Sequence, residues 1–264
     1  MRKIKLLIVQ YGVRYLDVSA NLAKFRRILK DNSYLRPDLV VFPEYALTGP
    51  LYSNYNMAFS ENDPVFGLLS DIARENTVHL IPGSFIREGF NSSCLIDDKG
   101  RILGFYNKQN LWSSEKKFLK RGEDANVFDT KIGKIGLQIC ADLMRPNISA
   151  QLIVLKPELI VNIAMWAKED SRASKKMVPE RIEDLQTEVL SRARALENRA
   201  YFAFCNFGGK LVIKAKTGRE YRETSIGNSL VADPFGQVVA KTSLNRQEVL
   251  FCEIDLAKCA GIGQ

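Results

Sequence analysis

The chain has 264 residues, 46% hydrophobic and 26% charged, an ordinary globular composition that excludes the disordered, collagen-like and disulfide-scaffold classes. Lysine and arginine (38) outnumber aspartate and glutamate (30) for a net charge of +8, yet there is a single histidine, His79. One imidazole cannot build a His-rich metal site or the paired-His helix of a zinc protease, and any Ser–His–Asp or Cys–His mechanism would have to run through His79 alone.

The first apolar run, Leu6 to Val9, is too short for a secretory signal, and no stretch approaches the ~20 apolar residues of a membrane span. Lys5 to Val9 reads as a buried strand, as do Leu39 to Phe42 and Val78 to Ile81. His79 lies in the third run, so a half-buried strand position is its expected role. Val18, Leu22, Phe25, Ile28 and Leu29 fall on one helical face, with Asp17 or Ser19 placed to cap it. Asp63-Pro64 opens a second helix, carrying Val65, Leu68, Leu69 and Ile72. This βαβαβ alternation implies parallel strands with helices packed outside.

The middle of the chain turns β-rich. Cys94 to Ile96, the turn Asp98-Lys99-Gly100 and Ile102 to Tyr106 read as a hairpin. Lys134 to Cys140 and Leu159 to Ile163 are two more strands. A long helix is expected from about Pro179 to Arg199, with Ile182, Leu185, Val189, Ala193 and Leu196 on its apolar stripe. Strands follow at Tyr201 to Cys205, Lys210 to Ile213, Ser229 to Ala232, Gln237 to Ala240 and Val249 to Ile254. No linker or repeat interrupts this order, so one domain over residues 1–264 with two sheets is the simplest architecture. The charged stretch Lys168 to Asp184 must be a sizeable loop, either a lid or a solvated connection, and Pro50 to Asn62 is another.

Cys94, Cys140, Cys205, Cys252 and Cys259 are odd in number and never spaced as CxxC, which points to free thiols in a reducing cytoplasm. The densest basic cluster, Lys210, Lys214, Lys216, Arg219 and Arg222, also holds Glu220 and Glu223. A solvated surface is therefore expected there, with neither nucleic acid nor membrane as partner.

Three polar residues stand at strand ends, where open α/β sheets handle ligands. Glu44 follows Leu39 to Pro43, Lys108 follows Ile102 to Tyr106, and Cys140 ends Ile135 to Ile139. Each alone has an ordinary reading as a helix cap, a surface charge or an inert thiol. Together they make chemical sense. A helix start at Ala141-Asp142 would favour a Cys140 thiolate, Glu44 is the available base in the absence of a spare histidine, and the Lys108 ammonium can stabilise an oxyanion.

Phe42-Pro43-Glu44-Tyr45-Ala46-Leu47-Thr48-Gly49, Tyr106-Asn107-Lys108 and Gly136 to Leu143 resemble the motifs of the nitrilase or carbon–nitrogen hydrolase superfamily, whose catalytic set is Glu, Lys and Cys in that order. Arg192 to Asn198 resembles its long helix, and Gly227-Asn228-Ser229 through Gly236 its late hairpin, so the likeness runs from Lys5 to about Ile254. The resemblance implies an α/β fold, a four-layer αββα sandwich of two mixed β-sheets flanked by helices, paired into a homodimer or a higher homo-oligomer. It implies amide or nitrile hydrolysis through a thioester, with no metal or other cofactor. Family members often carry a second Glu after the Lys, and Glu115 is its counterpart, otherwise an exposed loop carboxylate beside Lys116 and Lys117.

Departures bear on specificity. Nitrilases typically follow the Cys with Trp-Glu and amidases often with Tyr-Asp; here Ala141-Asp142 keeps the amidase-like Asp without the aromatic. Leu143-Met144-Arg145-Pro146-Asn147 displaces the family's Arg and replaces its Glu, and Asn228 stands where many relatives place His. The expectation is a cofactor-independent amidase for a small linear carboxamide, the oxyanion held by Lys108 and the N–H of Ala141, with Tyr45 and Trp166 as pocket walls or ordinary core. Its rivals are a nitrilase with the same three residues, a glutaminase serving a separate synthetase chain, and a non-catalytic binding or scaffold protein of the same fold.

Overall fold

The computed structural model describes residues 2–52, 54–112, 114–168, 181–214 and 220–260. Strands β1 (Lys3–Gln10), β2 (Leu39–Val41) and β3 (His79–Ile81) lie parallel, joined by helices α1 (Val18–Asp31) and α2 (Pro64–Asn76), as the alternation predicts. Asp17 caps α1 by accepting the Ala20 N–H, and Asp63 caps α2 by accepting the Val65 N–H one residue before Pro64 sets the first turn. Strands β4 (Ser84–Arg87), β5 (Phe90–Ile96) and β6 (Ile102–Asn107) extend this sheet on one side and β15 (Glu248–Asp255) closes the other, in the order β15-β1-β2-β3-β5-β4 with β6 also on β5. The expected hairpin is β5–β6, turned at Gly100 with φ of 80°.

The second sheet runs β14 (Val238–Lys241), β13 (Leu230–Ala232), β10 (Tyr201–Asn206), β9 (Leu159–Ala164), β8 (Gly133–Ile139), β7 (Val127–Thr130), with β8, β9 and β10 parallel. A separate pair, β11 (Lys210–Lys214) with β12 (Glu220–Thr224), carries exposed Lys210, Lys214 and Arg222. Lys214 and Arg222 each lie 3.8–4.0 Å from Glu220, as expected of a solvated charge cluster, whereas Lys216 and Arg219 lie outside the described residues.

Alternation along the strands builds the layers. Leu6 and Ile8 of β1 join Leu137, Ile139, Val161 and Ile163 in the core between the sheets, while Leu7 and Val9 join Phe25, Leu29, Val65 and Leu69 beneath α1 and α2. On the far side Ile160, Ala164, Phe202 and Phe204 meet α3 (Pro146–Leu155) and α4 (Ile182–Asn198). The result is the four-layer αββα sandwich. A short helix, α5 (Ala257–Ala260), follows β15. Among the described residues no helix is long and apolar enough to cross a membrane.

Two expectations about helices fail here. The segment after Cys140 is a five-residue 3-10 turn, Cys140–Met144, and α3 begins only at Pro146. The predicted stripe of α4 points the wrong way: Leu185, Val189 and Leu196 are more than half exposed, and the buried residues are Asp184, Thr187, Ser191, Arg194, Ala195 and Asn198. Periodicity located the stripe but not the side that packs. The lid expectation for 168–184 falls mostly on residues 169–180, outside the described residues, as does the predicted helix start at Pro179. The loop 50–62 packs Leu51, Tyr55, Met57 and Ala58 around Tyr45. His79 is fully buried in β3 rather than half-buried, its pKa lowered by burial.

Candidate active site

Glu44, Lys108 and Cys140 each follow the carboxyl end of a strand (β2, β6 and β8), and the topology puts these ends on one edge of the two sheets. β5 runs antiparallel to β3 and β6, so its first residues, including Asn91, reach the same edge. Glu44 is 3% exposed and Lys108 1%, deep for charged groups. Lys108 Nζ donates to Glu44 Oε1 at 2.8 Å and lies 2.9 Å from Glu115 Oε2. Burial alone would lower the lysine pKa; the charges of Glu44 and Glu115 reverse this and raise it well above its ordinary value. Lys108 is an ammonium at any working pH.

Glu115 is therefore no exposed loop carboxylate. Tyr45 Oη donates to its Oε1 at 2.5 Å, and the Trp112 N–H donates to its Oε2 at 2.6 Å. Burial pushes its pKa up, but Lys108, Tyr45 and Trp112 outweigh burial and hold it below the usual range. Tyr45 is itself buried, and burial together with the charges of Glu115 and Glu44 keeps its phenol protonated. It binds the cluster through its hydroxyl while its ring packs with Leu51, Ile86, Leu111 and Leu119.

The second sheet supplies the thiol. Cys140 has φ of 49° and Tyr45 φ of 56°, both non-glycine residues in the left-handed region. Such strain, about 1–3 kcal/mol per residue, persists only where surrounding contacts impose it. The Tyr45 N–H donates to Ser84 Oγ at 3.2 Å, and Gly83 (φ 86°) passes so close to Pro43 that a Cβ there would sit 2.1 Å from its carbonyl oxygen. Around Cys140, Asp142 Oδ2 accepts the Ile139 N–H at 2.9 Å and the Tyr106 hydroxyl at 2.7 Å, and its Oδ1 accepts the Asn110 N–H at 2.7 Å. Asn110 Nδ2 donates to the Ala141 carbonyl at 2.6 Å, so the turn that carries Ala141 is tied to the loop that carries Lys108.

The Met165 N–H, just past β9, donates to Glu44 Oε2 at 2.9 Å and also faces the Cys140 sulfur, placing base and thiol side by side. Burial, then the Glu44 charge, push the Cys140 thiol well above its ordinary value, with Lys108 opposing. This corrects the expectation of a helix-stabilised thiolate: the turn is too short to act as a helix, and the resting sulfur keeps its proton. Trp166 packs its ring on Phe204 (centroids 6.4 Å apart) in the layer beneath α3 and α4, so its neighbour Met165, not Trp166, meets Glu44.

Sequence reasoning missed Asn91, Asn110 and the Met165 N–H. The polar run Asn91-Ser92-Ser93 inside a buried strand was the available signal for the first; the others depend on chain geometry alone. The five thiols are free. Among the described residues no three His, Cys, Asp or Glu side chains are grouped as metal ligands.

The sequence profile of the family described as "Carbon-nitrogen hydrolase" matches residues 5–264. A protein named Nitrilase from Pyrococcus abyssi is 29% identical over 96% of this chain and 90% of its own length. Omega-amidase NIT2-A from Xenopus laevis is 28% identical over 99% of this chain and 92% of its own. The crystal structure of a carbon–nitrogen hydrolase from Helicobacter pylori G27 superposes with a TM-score of 0.82 at 20% identity, covering 98% and 91% of the two chains, a likeness of fold. The chain belongs to the carbon–nitrogen hydrolase family.

Proposed function

We propose that this carbon–nitrogen hydrolase cleaves a small linear carboxamide to its acid and ammonia through a thioester on Cys140. The observation that carries the reading is the buried Lys108 ammonium, 2.8 Å from Glu44 and flanked by a Met165 N–H that joins Glu44 to the Cys140 sulfur. A thiol that is protonated at rest needs an adjacent base, and Glu44 is that base. As Glu44 takes the proton, sulfur bonds to the amide carbon and the carbonyl π pair moves onto oxygen. Lys108 and the Ala141 N–H receive that charge in a site already organised for it. Collapse of the tetrahedral adduct breaks the C–N bond, and protonated Glu44 returns its proton to the leaving nitrogen, which departs as ammonia. Glu44, again a carboxylate, then deprotonates a water that adds to the thioester; the acid leaves and the thiol is restored.

Both nitrilases and amidases are among the relatives, and a nitrile would meet the same three groups. Asp142, the acid that amidases carry where nitrilases place Glu, supports the amide reading. The test is a panel of short carboxamides and matching nitriles, scored for ammonia and for acid. Ammonia from amides, with loss of at least ~10³-fold in Cys140→Ala, is the expected result. Turnover of nitriles alone would replace amide by nitrile hydrolysis, and unchanged turnover by Cys140→Ala would overturn the mechanism.

A further inference from the structure

Two carboxylates share one buried ammonium. Glu44 and Glu115 both lie against Lys108, so the cluster carries one more negative charge than positive. In such a pair the like charges ordinarily drive one member to hold a proton. A Glu44 that already held a proton could not take one from Cys140.

Asn91 answers this. It is fully buried at the start of β5, and its Nδ2 lies 2.9 Å from Glu44 Oε1, 2.8 Å from Glu115 Oε1 and 2.9 Å from Tyr45 Oη. The phenol gives its own proton to Glu115, so all three atoms face the amide as acceptors and its two N–H groups are shared among them. The orientation follows from the surroundings: turned over, the amide would set its carbonyl oxygen against two carboxylates. As it stands, that oxygen is buried without a partner among the described residues, a cost that a structural asparagine has no reason to bear. The Asn91 main-chain carbonyl also accepts the Lys108 N–H at 2.8 Å, so one residue holds all three charged groups in register. Among the described residues the other titratable groups around the two carboxylates are Tyr45, Cys140, Tyr52 and Tyr55, none of which is a cation at neutral pH.

We propose that Asn91 is a positioning residue: its amide donates to Glu44 and Glu115 together, keeping both ionised beside Lys108 and Glu44 free to act as base. This rests on the reading of Cys140 and Glu44 given above. The test follows alkylation of Cys140 by iodoacetamide against pH, read by peptide mass in the intact protein, which needs no known substrate. In Asn91→Ala the acid limb should move up by about one pH unit or more, the size expected when a charge-assisted hydrogen bond is lost, while the high-pH plateau stays. Asn91→Asp, which adds a third carboxylate, should move it further.

Glu115→Gln removes one of the two charges, so in that background the acid limb should lie lower, and Asn91→Ala should still raise it through the lost bond to Glu44. Asn91→Ser, which keeps one donor, serves if Asn91→Ala does not fold and should show a smaller shift. A limb that stays in place while the plateau drops would mark Asn91 as merely structural and overturn the proposal. Failure of wild-type Cys140 to react ahead of the other four thiols would instead overturn the functional reading beneath it, and the Asn91 role with it.

Discussion

Helices α1 and α2 cover the first sheet with Leu22, Phe25, Leu29, Val65, Leu69 and Ile72, the amphipathic arrangement in which buried apolar area supplies the stability. Helix α4 covers the second sheet with Asp184, Thr187, Ser191, Arg194 and Asn198, and leaves Leu185, Val189 and Leu196 facing out. Beneath α4, hydrogen bonds join the apolar packing of Leu190 and Ala195: Arg194 donates twice to the Leu143 carbonyl, Asn198 to Ser149, and Asn228 to the Asp184 carbonyl and Thr187. Such bonds add little net stability but fix geometry, because breaking any one leaves a buried polar group unpaired. The difference has a use. Leu143 lies three residues beyond Cys140, so the directional layer holds the strained turn of the thiol. The dry layer backs the sheet that supplies Glu44, Lys108 and Asn91, whose charges and amide hold one another.

The strongest way to break this comparison is Lys108→Met. It strips the charge cluster of the only cation it has among the described residues and leaves two buried carboxylates, so we expect kcat/KM to fall by at least ~10³-fold and stability by about 3–5 kcal/mol. Ammonia release and denaturant unfolding measure the two. Wild-type stability in this variant would mean that the first sheet's charges are not mutually supporting.

Asp142 ties the halves together, accepting from Tyr106 and Asn110 on one side and Ile139 on the other. Burial pushes its carboxyl up to about 6, against the pull of those donors. A folded pKa above the unfolded value of about 3.9 means that folding favours the protonated form; the stability contributed here is fully present below about pH 4 and is lost as pH rises through 6. Unfolding midpoints of wild type and Asp142→Asn should therefore diverge between about pH 4 and 6, the wild type losing ground as pH rises. A constant gap would remove burial as the controlling cause.

The smallest expected effect on the folded subunit comes from Leu185→Glu with Val189→Glu, within about 0.5 kcal/mol per site because both are exposed. We propose that, if the expected homo-oligomer forms, the exposed Leu185, Val189 and Leu196 take part in its contact, since that would bury their apolar area. Light scattering should then show an assembly in the wild type and a monomer in the double variant. An assembly that survives the change would place the interface elsewhere.

Reading by period worked where one face of an element is plainly apolar. The parallel β1–β3, both capped helices and the β5–β6 hairpin follow from local pattern, and α4 was located by its stripe. The inward face of α4 was not legible, because apolar spacing alone does not say whether a stripe meets a sheet or leaves the surface bare. The strands β4, β7 and β12 mix in polar residues such as Ser84, Asp129 and Arg222, and no apolar run marks them or the 3-10 turn after Cys140.

By itself the sequence determined which chemistry is available: one histidine, and Glu44, Lys108 and Cys140 at the ends of apolar runs, in an order that matches a known family. Tertiary structure alone decided the protonation and partnership of those groups. It turned Glu115 from a loop carboxylate into a partner of Lys108, recruited Asn91, and kept the Cys140 sulfur a thiol. The physical reason is that residue type and spacing act locally, whereas a charge is set by what surrounds it; burial and neighbours 2.8–2.9 Å away come from strands that the chain brings together only when it folds.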